Sequence, residues 1–261
     1  MVNIPYYFLL FGRQIPLYGI CFYSGIATAA VFALLFAKHR GLPKWEIIYS
    51  AIYIMTGAII GAKLLFILVS MDEIIRLKLS VLAVIKGGFV FYGGLVGGLL
   101  GLLVYTRQYK MKLTPFLDIY ATVLPLGHAI GRVGCFFGGC CYGIRYNGIF
   151  RVVYEQTAGQ TPSGVGLLPI QLIEAIALLS LFFLQLFLFK RKKFAGRQAW
   201  SYIVSYSIIR FFLEFFRGDK IRGSVLWLST SQWISLIMLC AVPLYLYYRK
   251  KTSQTNEVPP S

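Results

Sequence analysis

Residues 168–189 read LPIQLIEAIALLSLFFLQLFLF. From Ala175 to Phe189 only Ser180 and Gln185 are polar, and nothing is charged. As a helix rising 1.5 Å per residue, the stretch is long enough for a hydrocarbon core of about 30 Å. It is apolar on every face, unlike a surface helix of a soluble protein, which shows one apolar stripe. Its solvent is therefore either a large protein interior or lipid. The rest of the chain decides between them. Six more apolar segments lie near 16–37, 46–70, 88–106, 114–131, 198–216 and 228–248. Of the 261 residues, 58% are hydrophobic and only 13% are charged, too few to cover the surface of a soluble domain. The sequence predicts an all-α integral membrane protein of about seven transmembrane helices. Residues 1–251 form a single polytopic membrane domain, and 252–261 a disordered polar cytoplasmic tail.

The net charge of +17 does not point to nucleic acid, because the basic residues cluster between the apolar runs. Lys38, Arg40 and Lys44 follow the first segment. Arg107, Lys110 and Lys112 follow the third, Lys190–Lys193 and Arg197 the fifth, and Arg249–Lys251 the last. With seven spans these four clusters share one side, which the positive-inside rule makes cytoplasmic. The N-terminus is then out and the C-terminus in. Arg132, Arg145, Arg151, Arg217, Lys220 and Arg222 fall on the outer side, against that rule, so each needs an anionic partner or a place at the interface.

Ionisable residues inside spans are expensive and face a bundle interior or a water-filled cavity. In YSIIRFFLEFFR, Tyr206, Arg210, Glu214 and Arg217 recur at spacings of four, four and three, one stripe of a helix. Two readings fit: an Arg210–Glu214 ion pair joining helices, or a bound anion gripped by Arg210 and Arg217 with Glu214 orienting them. Gln171 and Glu174 lie three apart at the outer start of the fifth segment. Lys63, in the second, requires an acidic partner or a lipid phosphate. Ser80–Val90 reads as a re-entrant piece broken at Lys86-Gly87-Gly88.

Two glycine-rich tracts lie near the outer leaflet. In FYGGLVGGLLG, Gly93, Gly97 and Gly101 repeat every four residues, as do Gly94 and Gly98. That spacing suits close helix packing, and the tract's mouth, with Tyr92, also suits lipid entry. In GRVGCFFGGCCYG, residues 131–143, the glycines argue against an uninterrupted helix, so free N–H groups beside Arg132 would cradle an anion. Cys135, Cys140 and Cys141, with His128 and Asp118 upstream, match no common zinc spacing. No metal is assigned. A Cys135–Cys140 disulfide suits an oxidising outer face, and Cys141 reads as a packing residue. Tyr18, Tyr92, Arg132, Gln171, Glu174, Tyr206, Arg210, Glu214 and Arg217 come from five spans and converge on the outer side.

These motifs together resemble the prolipoprotein diacylglyceryl transferases of bacterial membranes, from Tyr18 to Gln232. Gly131-Arg132-Val133-Gly134 through Gly143 follows the frame of that family's signature. Gly93-Gly94-Leu95-Val96-Gly97 is similar to its His-Gly-Gly-Leu-Ile-Gly tract. YSIIRFFLEFFR matches its late helix, PIQLIE its Pro-Ser-Gln-Leu-Tyr-Glu tract, and Tyr18-Gly19 its early Tyr-Gly. The resemblance implies transfer of the diacylglyceryl group of phosphatidylglycerol to a cysteine thiol of a lipoprotein precursor, with glycerol phosphate leaving. It implies a lipobox-bearing precursor and phosphatidylglycerol, or another anionic phospholipid, as partners in the bilayer. No cofactor and no nucleic acid enter. The site is the bacterial cytoplasmic (inner) membrane, with the active site toward the outer leaflet.

On the family's pattern, Tyr92, Arg132, Arg210, Tyr18 and Cys140 are the catalytic candidates. The phospholipid falls to Arg132, Gly134, Gly143, Gly93, Gly94, Tyr206, Arg210, Glu214, Arg217, Gln171, Glu174 and Cys135. This chain departs from the family where it has Tyr92 for the histidine. It departs again where Cys135-Phe136-Phe137-Gly138-Gly139-Cys140 stands for Asn-Phe-x-Asn-Gly-Glu. Cys140, in the carboxylate's place, is a candidate transient carrier of the lipid. The alternatives are a related transferase with another acceptor, a catalytically silent phospholipid-binding protein, and a membrane thiol oxidoreductase.

Overall fold

A computed structural model of the chain describes residues 6–78, 80–155, 161–219 and 224–255. Lys220, Arg222 and residues 256–261 of the tail lie outside them. Nine α-helices occur among the described residues: α1 (Leu17–Phe36), α2 (Lys44–Val69), α3 (Met71–Arg76), α4 (Val81–Lys86), α5 (Phe91–Gln108), α6 (Leu113–Phe137), α7 (Ile170–Phe189), α8 (Gln198–Leu213) and α9 (Thr230–Thr255). Three two-stranded antiparallel hairpins accompany them: β1 (Tyr7–Leu10) with β2 (Arg13–Pro16), β3 (Val152–Val153) with β4 (Gly166–Leu167), and β5 (Ser224–Val225) with β6 (Leu228–Ser229).

The chain is an all-α, multi-pass membrane protein. Five described helices, α1, α2, α6, α7 and α9, are long and apolar enough to cross a membrane. The sequence reading has seven segments, and the other two are filled by α5 and α8, of 18 and 16 residues. Glycines dilute the hydropathy of α5, and α8 is short and carries Arg210. The last helix continues to Thr255, so residues 252–255 are helical where the sequence suggests a disordered tail.

The chain divides into two compact units, one being Ala33–Ile119 and the other the chain up to Phe32 and from Tyr120 on. The reason lies in the glycine stripe, which builds a self-sufficient helix pair. A Cβ added at Gly97 would lie 2.2 Å from the carbonyl oxygen of Gly57, one at Gly93 2.3 Å from that of Gly61, and one at Gly101 2.2 Å from that of Tyr53. Thus α2 and α5 run antiparallel with backbones in contact, as small residues four apart allow. Gly93, assigned to phospholipid from the sequence, is a packing glycine. Gly94 also faces α2, where an added Cβ would lie 3.5 Å from the Ala58 carbonyl oxygen and from the Ala62 methyl.

Lys63 finds neither a carboxylate nor, within this unit, any need of a lipid phosphate. Its Nζ donates to the carbonyl oxygens of Val84, Ile85, Gly87 and Gly88 at 3.0–3.2 Å, and sits 4.2 Å from the Phe89 ring centroid. These carbonyls close α4, whose first turn is capped by Ser80. A cation at a helix C-terminus answers the orphan carbonyls there. In the same unit Asp118 is buried against Arg40, Oδ2 to Nε 2.9 Å.

In the other unit, Gly25 of α1 and Gly127 of α6 meet in the same way as the α2–α5 pair: a Cβ at Gly25 would lie 2.7 Å from the Gly127 carbonyl oxygen. The α6 helix runs unbroken through Gly131 and Gly134 to Phe137, contrary to the irregular segment expected there. Each helical glycine weakens a helix by about 1 kcal/mol. Gly134 compensates by admitting α1, since a Cβ there would be 2.8 Å from that of Cys21.

The α2–α5 contact makes a direct prediction. Gly97→Ala forces the backbones apart and lowers stability by about 1–3 kcal/mol, read as a drop in the unfolding midpoint in detergent. Gly94→Ala, meeting only ordinary contacts, leaves that midpoint unchanged.

Candidate active site

Three arginines and three acids form one buried network in the second unit. Arg132, on the last turns of α6, places Nη2 2.9 Å from Glu174 Oε1. Arg217 brings Nη1 to 3.7 Å from the other oxygen of Glu174 and Nε to 3.9 Å from Glu214. It also grips Asp219 with both ends of its fork, at 2.9 and 2.6 Å. Arg210 pairs with Glu214 and donates to Ser231 Oγ at 3.2 Å. Glu174 is 1% exposed and Arg210 6%, so these charges interact with little solvent screening.

Each arm of the network has a local cause. Arg132 and His128 are one helical turn apart, and Arg132 Nε donates to His128 Nε2 at 3.3 Å. Gln171 and Glu174 occupy the first turn of α7. Gln171 Nε2 donates to the Cys140 carbonyl oxygen at 2.9 Å, while Glu174 faces the arginines. The α8 helix ends at Leu213, and Glu214–Phe216 form a 3-10 turn. Arg217 is therefore extended, and the four-residue stripe read from the sequence stays helical through Glu214 and leaves the helix at Arg217. The extended stretch pairs with residues 142–144: Gly143 bridges Arg217, Ile144 N–H donates to Phe216 O at 3.0 Å, and Gly218 N–H to Tyr142 O at 2.9 Å. Gly143 permits this crossing, since a Cβ there would be 2.4 Å from the Leu168 carbonyl oxygen.

Ser231 is held at its post by a capping box, in which Ser229 N–H donates to Gln232 Oε1 at 2.9 Å and Gln232 N–H to Ser229 Oγ at 3.2 Å. Burial works against the Arg217 charge, but the paired bonds to Asp219 hold its pKa above the ordinary value.

No backbone cradle forms at Gly131 and Gly134, and the donors gathered here are side chains. The N–H groups of Gly131 and Gly134 belong to α6, so Gly134 is a packing residue and the arginines supply the donors. All of those arginines are countered by acids, which answers the choice left open in the sequence: the Arg210–Glu214 pair exists. Yet Arg210 Nη1 is buried and makes no hydrogen bond. Arg217 Nη1 makes none either, but it faces the Glu174 carboxylate at 3.7 Å. Arg210 Nη1 is therefore the donor left most open to a ligand.

The irregular backbone begins at Gly138. Gly139 N–H donates to Phe136 O at 3.3 Å and Cys140 N–H to Cys135 O at 3.1 Å, with Gly139 at φ +59°. This is a Schellman closure of α6, the left-handed glycine being the residue that makes it possible. It stacks the third residue from the helix end on the second beyond it, here Cys135 on Cys140. Cys141 follows at φ +56°, a conformation uncommon for a residue with a side chain, and turns its thiol to the same place. The three sulfurs lie within 4.8 Å of one another. No disulfide joins Cys135, Cys140 and Cys141, and all three are half-buried.

Beyond Cys141 a small lobe packs on the end of α6, with Tyr154 and Leu167 buried among Phe136, Phe137, Tyr142, Val152 and Val165. Tyr154 Oη donates to Phe136 O at 2.9 Å, and burial pushes its hydroxyl pKa up.

Of the residues singled out in the sequence, Arg132, Glu174, Arg210, Glu214 and Arg217 meet in the network. Gln171, Cys135 and Cys140 adjoin it. Tyr206 stacks on Tyr202 at 5.7 Å and lies 5.7 Å from the His128 ring. Tyr18, at the start of α1, is half exposed and borders α6, where a Cβ at Gly138 would lie 3.4 Å from its own. Tyr92, Gly93 and Gly94 belong to the other unit. His128, Asp219 and Ser231 went unassigned, and Cys135, Cys140 and Cys141 were given separate roles rather than one shared site. His128 was visible as the residue four before Arg132, Ser231 through the Ser229/Gln232 box, and the thiols through the glycine that closes α6.

Residues 5–248 match the family model described as prolipoprotein diacylglyceryl transferase. The chain belongs to this family. It is 34% identical over 235 residues to the phosphatidylglycerol–prolipoprotein diacylglyceryl transferase of Clostridium tetani, covering 90% of this chain and 93% of that one. It is 32% identical to phosphatidylglycerol–prolipoprotein diacylglyceryl transferase 2 of Clostridium perfringens, covering 94% and 97%. The transferase of that name from Finegoldia magna is 29% identical, covering 96% and 98%.

Membership in the family leaves the network's energetics to be tested. Removing the shared carboxylate in Glu174→Leu strands Arg132 in a buried site and takes one of three acidic neighbours from Arg217. The expected loss is about 3–5 kcal/mol, seen as a lower unfolding midpoint, with Glu174→Gln intermediate.

Proposed function

We propose that this chain transfers the diacylglyceryl group of phosphatidylglycerol to a cysteine thiol of a lipoprotein precursor, releasing glycerol phosphate. The observation that carries the reading is the buried, unbonded Nη1 of Arg210 inside a network of three arginines. It joins the family membership and the names of the relatives. A planar guanidinium with one free edge suits a phosphodiester oxygen, and its charge stabilises the phosphate as the ester bond breaks. Arg132 and Arg217 add positive potential, and Glu174 and Glu214 orient the three. Tyr18, Tyr206, Gln171, Gly143 and Cys135 border the lipid in this reading, and Gly93 and Gly94 hold α5 against α2. The basic clusters, on the positive-inside rule, orient this site toward the outer leaflet of a bacterial inner membrane, where phosphatidylglycerol and a translocated precursor meet.

Transfer is direct. A diacylglyceryl thioether on Cys140 would be a dead end, because a thiolate leaves saturated carbon far less readily than a phosphate does. Tyr92 stands where the family has its histidine. A phenol lacks the unprotonated ring nitrogen with which an imidazole accepts a proton, so removal of the acceptor proton needs more than Tyr92.

Purified protein given phosphatidylglycerol and a lipobox peptide is expected to release glycerol phosphate and add the diacylglyceryl mass to the peptide cysteine. Arg210→Ala is expected to lower the rate by about 100-fold or more while the protein remains folded. Binding of phosphatidylglycerol without turnover by the folded wild type would instead mark a silent lipid-binding protein and overturn the reading.

A further inference from the structure

Cys135, Cys140 and Cys141 are the chemistry that the proposed function has not used. Three thiols at this separation are not an ordinary packing arrangement. A tetrahedral zinc ion with bonds of about 2.3 Å sets its sulfurs about 3.8 Å apart. The observed limit of 4.8 Å is within a small side-chain adjustment of that. The backbone around the thiols is fixed: the Schellman bonds set Cys140 on Cys135, Gln171 Nε2 holds the Cys140 carbonyl, and Thr161 Oγ1 holds that of Gly139. The left-handed Cys141 is a conformation that surroundings must enforce, and such conformations gather at functional sites. The Arg217 cation stands beside the Cys141 side chain. A cation beside a ligating sulfur moderates the negative charge of a three-thiolate site.

We propose that Cys135, Cys140 and Cys141 bind one thiophilic divalent cation of the zinc class, whose fourth position takes the acceptor cysteine and removes its proton. The inference rests on the transferase reading. A metal-coordinated thiol is deprotonated at neutral pH, which meets the need left by a chain without the family's histidine and carboxylate. The acceptor thiol binds the open position and its proton goes to solvent. Its sulfur attacks the glyceryl carbon of the lipid. A carbon–sulfur bond forms as the carbon–oxygen bond to phosphate breaks, and the electron pair departs on the phosphate oxygen. The product thioether is neutral, a weak ligand, and leaves the metal. The two halves are joined through side chains: Cys141 neighbours Arg217, Arg217 lies 3.9 Å from Glu214, and Glu214 pairs with Arg210.

The test uses the full chain purified in detergent under reductant, with Zn2+ and Co2+ as probes. The expected zinc content is about one per chain, lost in Cys135→Ser, Cys140→Ser and Cys141→Ser. Co2+ is expected to give sulfur-to-metal charge-transfer bands and the strong visible absorption of a tetrahedral site. A lipobox peptide shifts those bands and its Cys→Ser version does not. Chelation lowers diacylglyceryl transfer by about 10-fold or more, and zinc restores it. Unfolding midpoints of the three serine variants separate loss of metal from loss of fold, and wild-type cobalt spectra do not depend on the variants.

Three results overturn the metal site: a cobalt spectrum indifferent to all three substitutions, a Cys135–Cys140 disulfide in protein taken directly from membranes, or full transfer by metal-free protein. The last leaves the transferase reading intact. Metal bound as described, with no transfer to any thiol, overturns the transferase reading and the acceptor's role while the thiol site stands.

Discussion

The site depends on one carboxylate. Glu174 is almost wholly buried and offers one oxygen to Arg132 and the other to Arg217. Those two cations arrive from the end of α6 and from the extended chain beyond α8, while the carboxylate stands on the first turn of α7. A buried charge without a partner is strongly destabilising, so Glu174 cannot lose both arginines without that penalty, and Arg132 cannot lose Glu174 without it. Everything around it serves this arrangement. The Gly25–Gly127 contact seats α6 against α1. Gly143 lets the chain after α6 cross beneath Arg217, and Asp219 meets the outer edge of the same guanidinium. The result is a network rigid enough to keep a donor of Arg210 buried with no hydrogen-bond partner among the described residues.

Much of the fold was legible because lipid imposes simple requirements. Long apolar runs had to become helices, and the seven long helices overlie the segments read from hydropathy, with α6 and α9 continuing past them to Phe137 and Thr255. The glycines were harder. In α5 the four-residue repeat identified helix packing, yet its partners Gly57 and Gly61 were missed, since two glycines four apart in a long apolar helix draw little notice. At Gly131 and Gly134 local propensity misled, because it counts the glycine's weakness as a helix former and not the neighbour that the glycine admits. Lys63 was flagged correctly as a cation needing a partner. Its actual partners are main-chain oxygens, which no reading of side-chain types reveals.

The candidate site was legible in its arginines and acids and opaque in its pairing. Spacing on one helix foretold Arg210 with Glu214. It said nothing of Arg132 with Glu174, which are 42 positions apart in the numbering and meet only through the tertiary fold. The thiols show the opposite failure. Cys135 and Cys140 are close in sequence, but the search for a zinc spacing compared them with known ligand patterns and not with the geometry of a helix end. A closing glycine at 139 converts a five-residue separation into a side-by-side contact.

The four carbonyls gathered by Lys63 carry a consequence for biogenesis. The ammonium acts on the segment 84–88 much as a crown ether's ion acts on its ring, with the roles of host and guest shared by two parts of one chain. Val84 also accepts from Gly87 N–H, but the carbonyls of Ile85, Gly87 and Gly88 meet the ammonium only once α2 is in place, and the ammonium meets them only when they arrive. Since α2 is synthesised first, the growing chain must carry an uncompensated lysine through insertion, and the arrival of the next segment locks it there. The pairing thus sets an order of assembly, in which the turn before α5 settles only after α2 has entered the membrane.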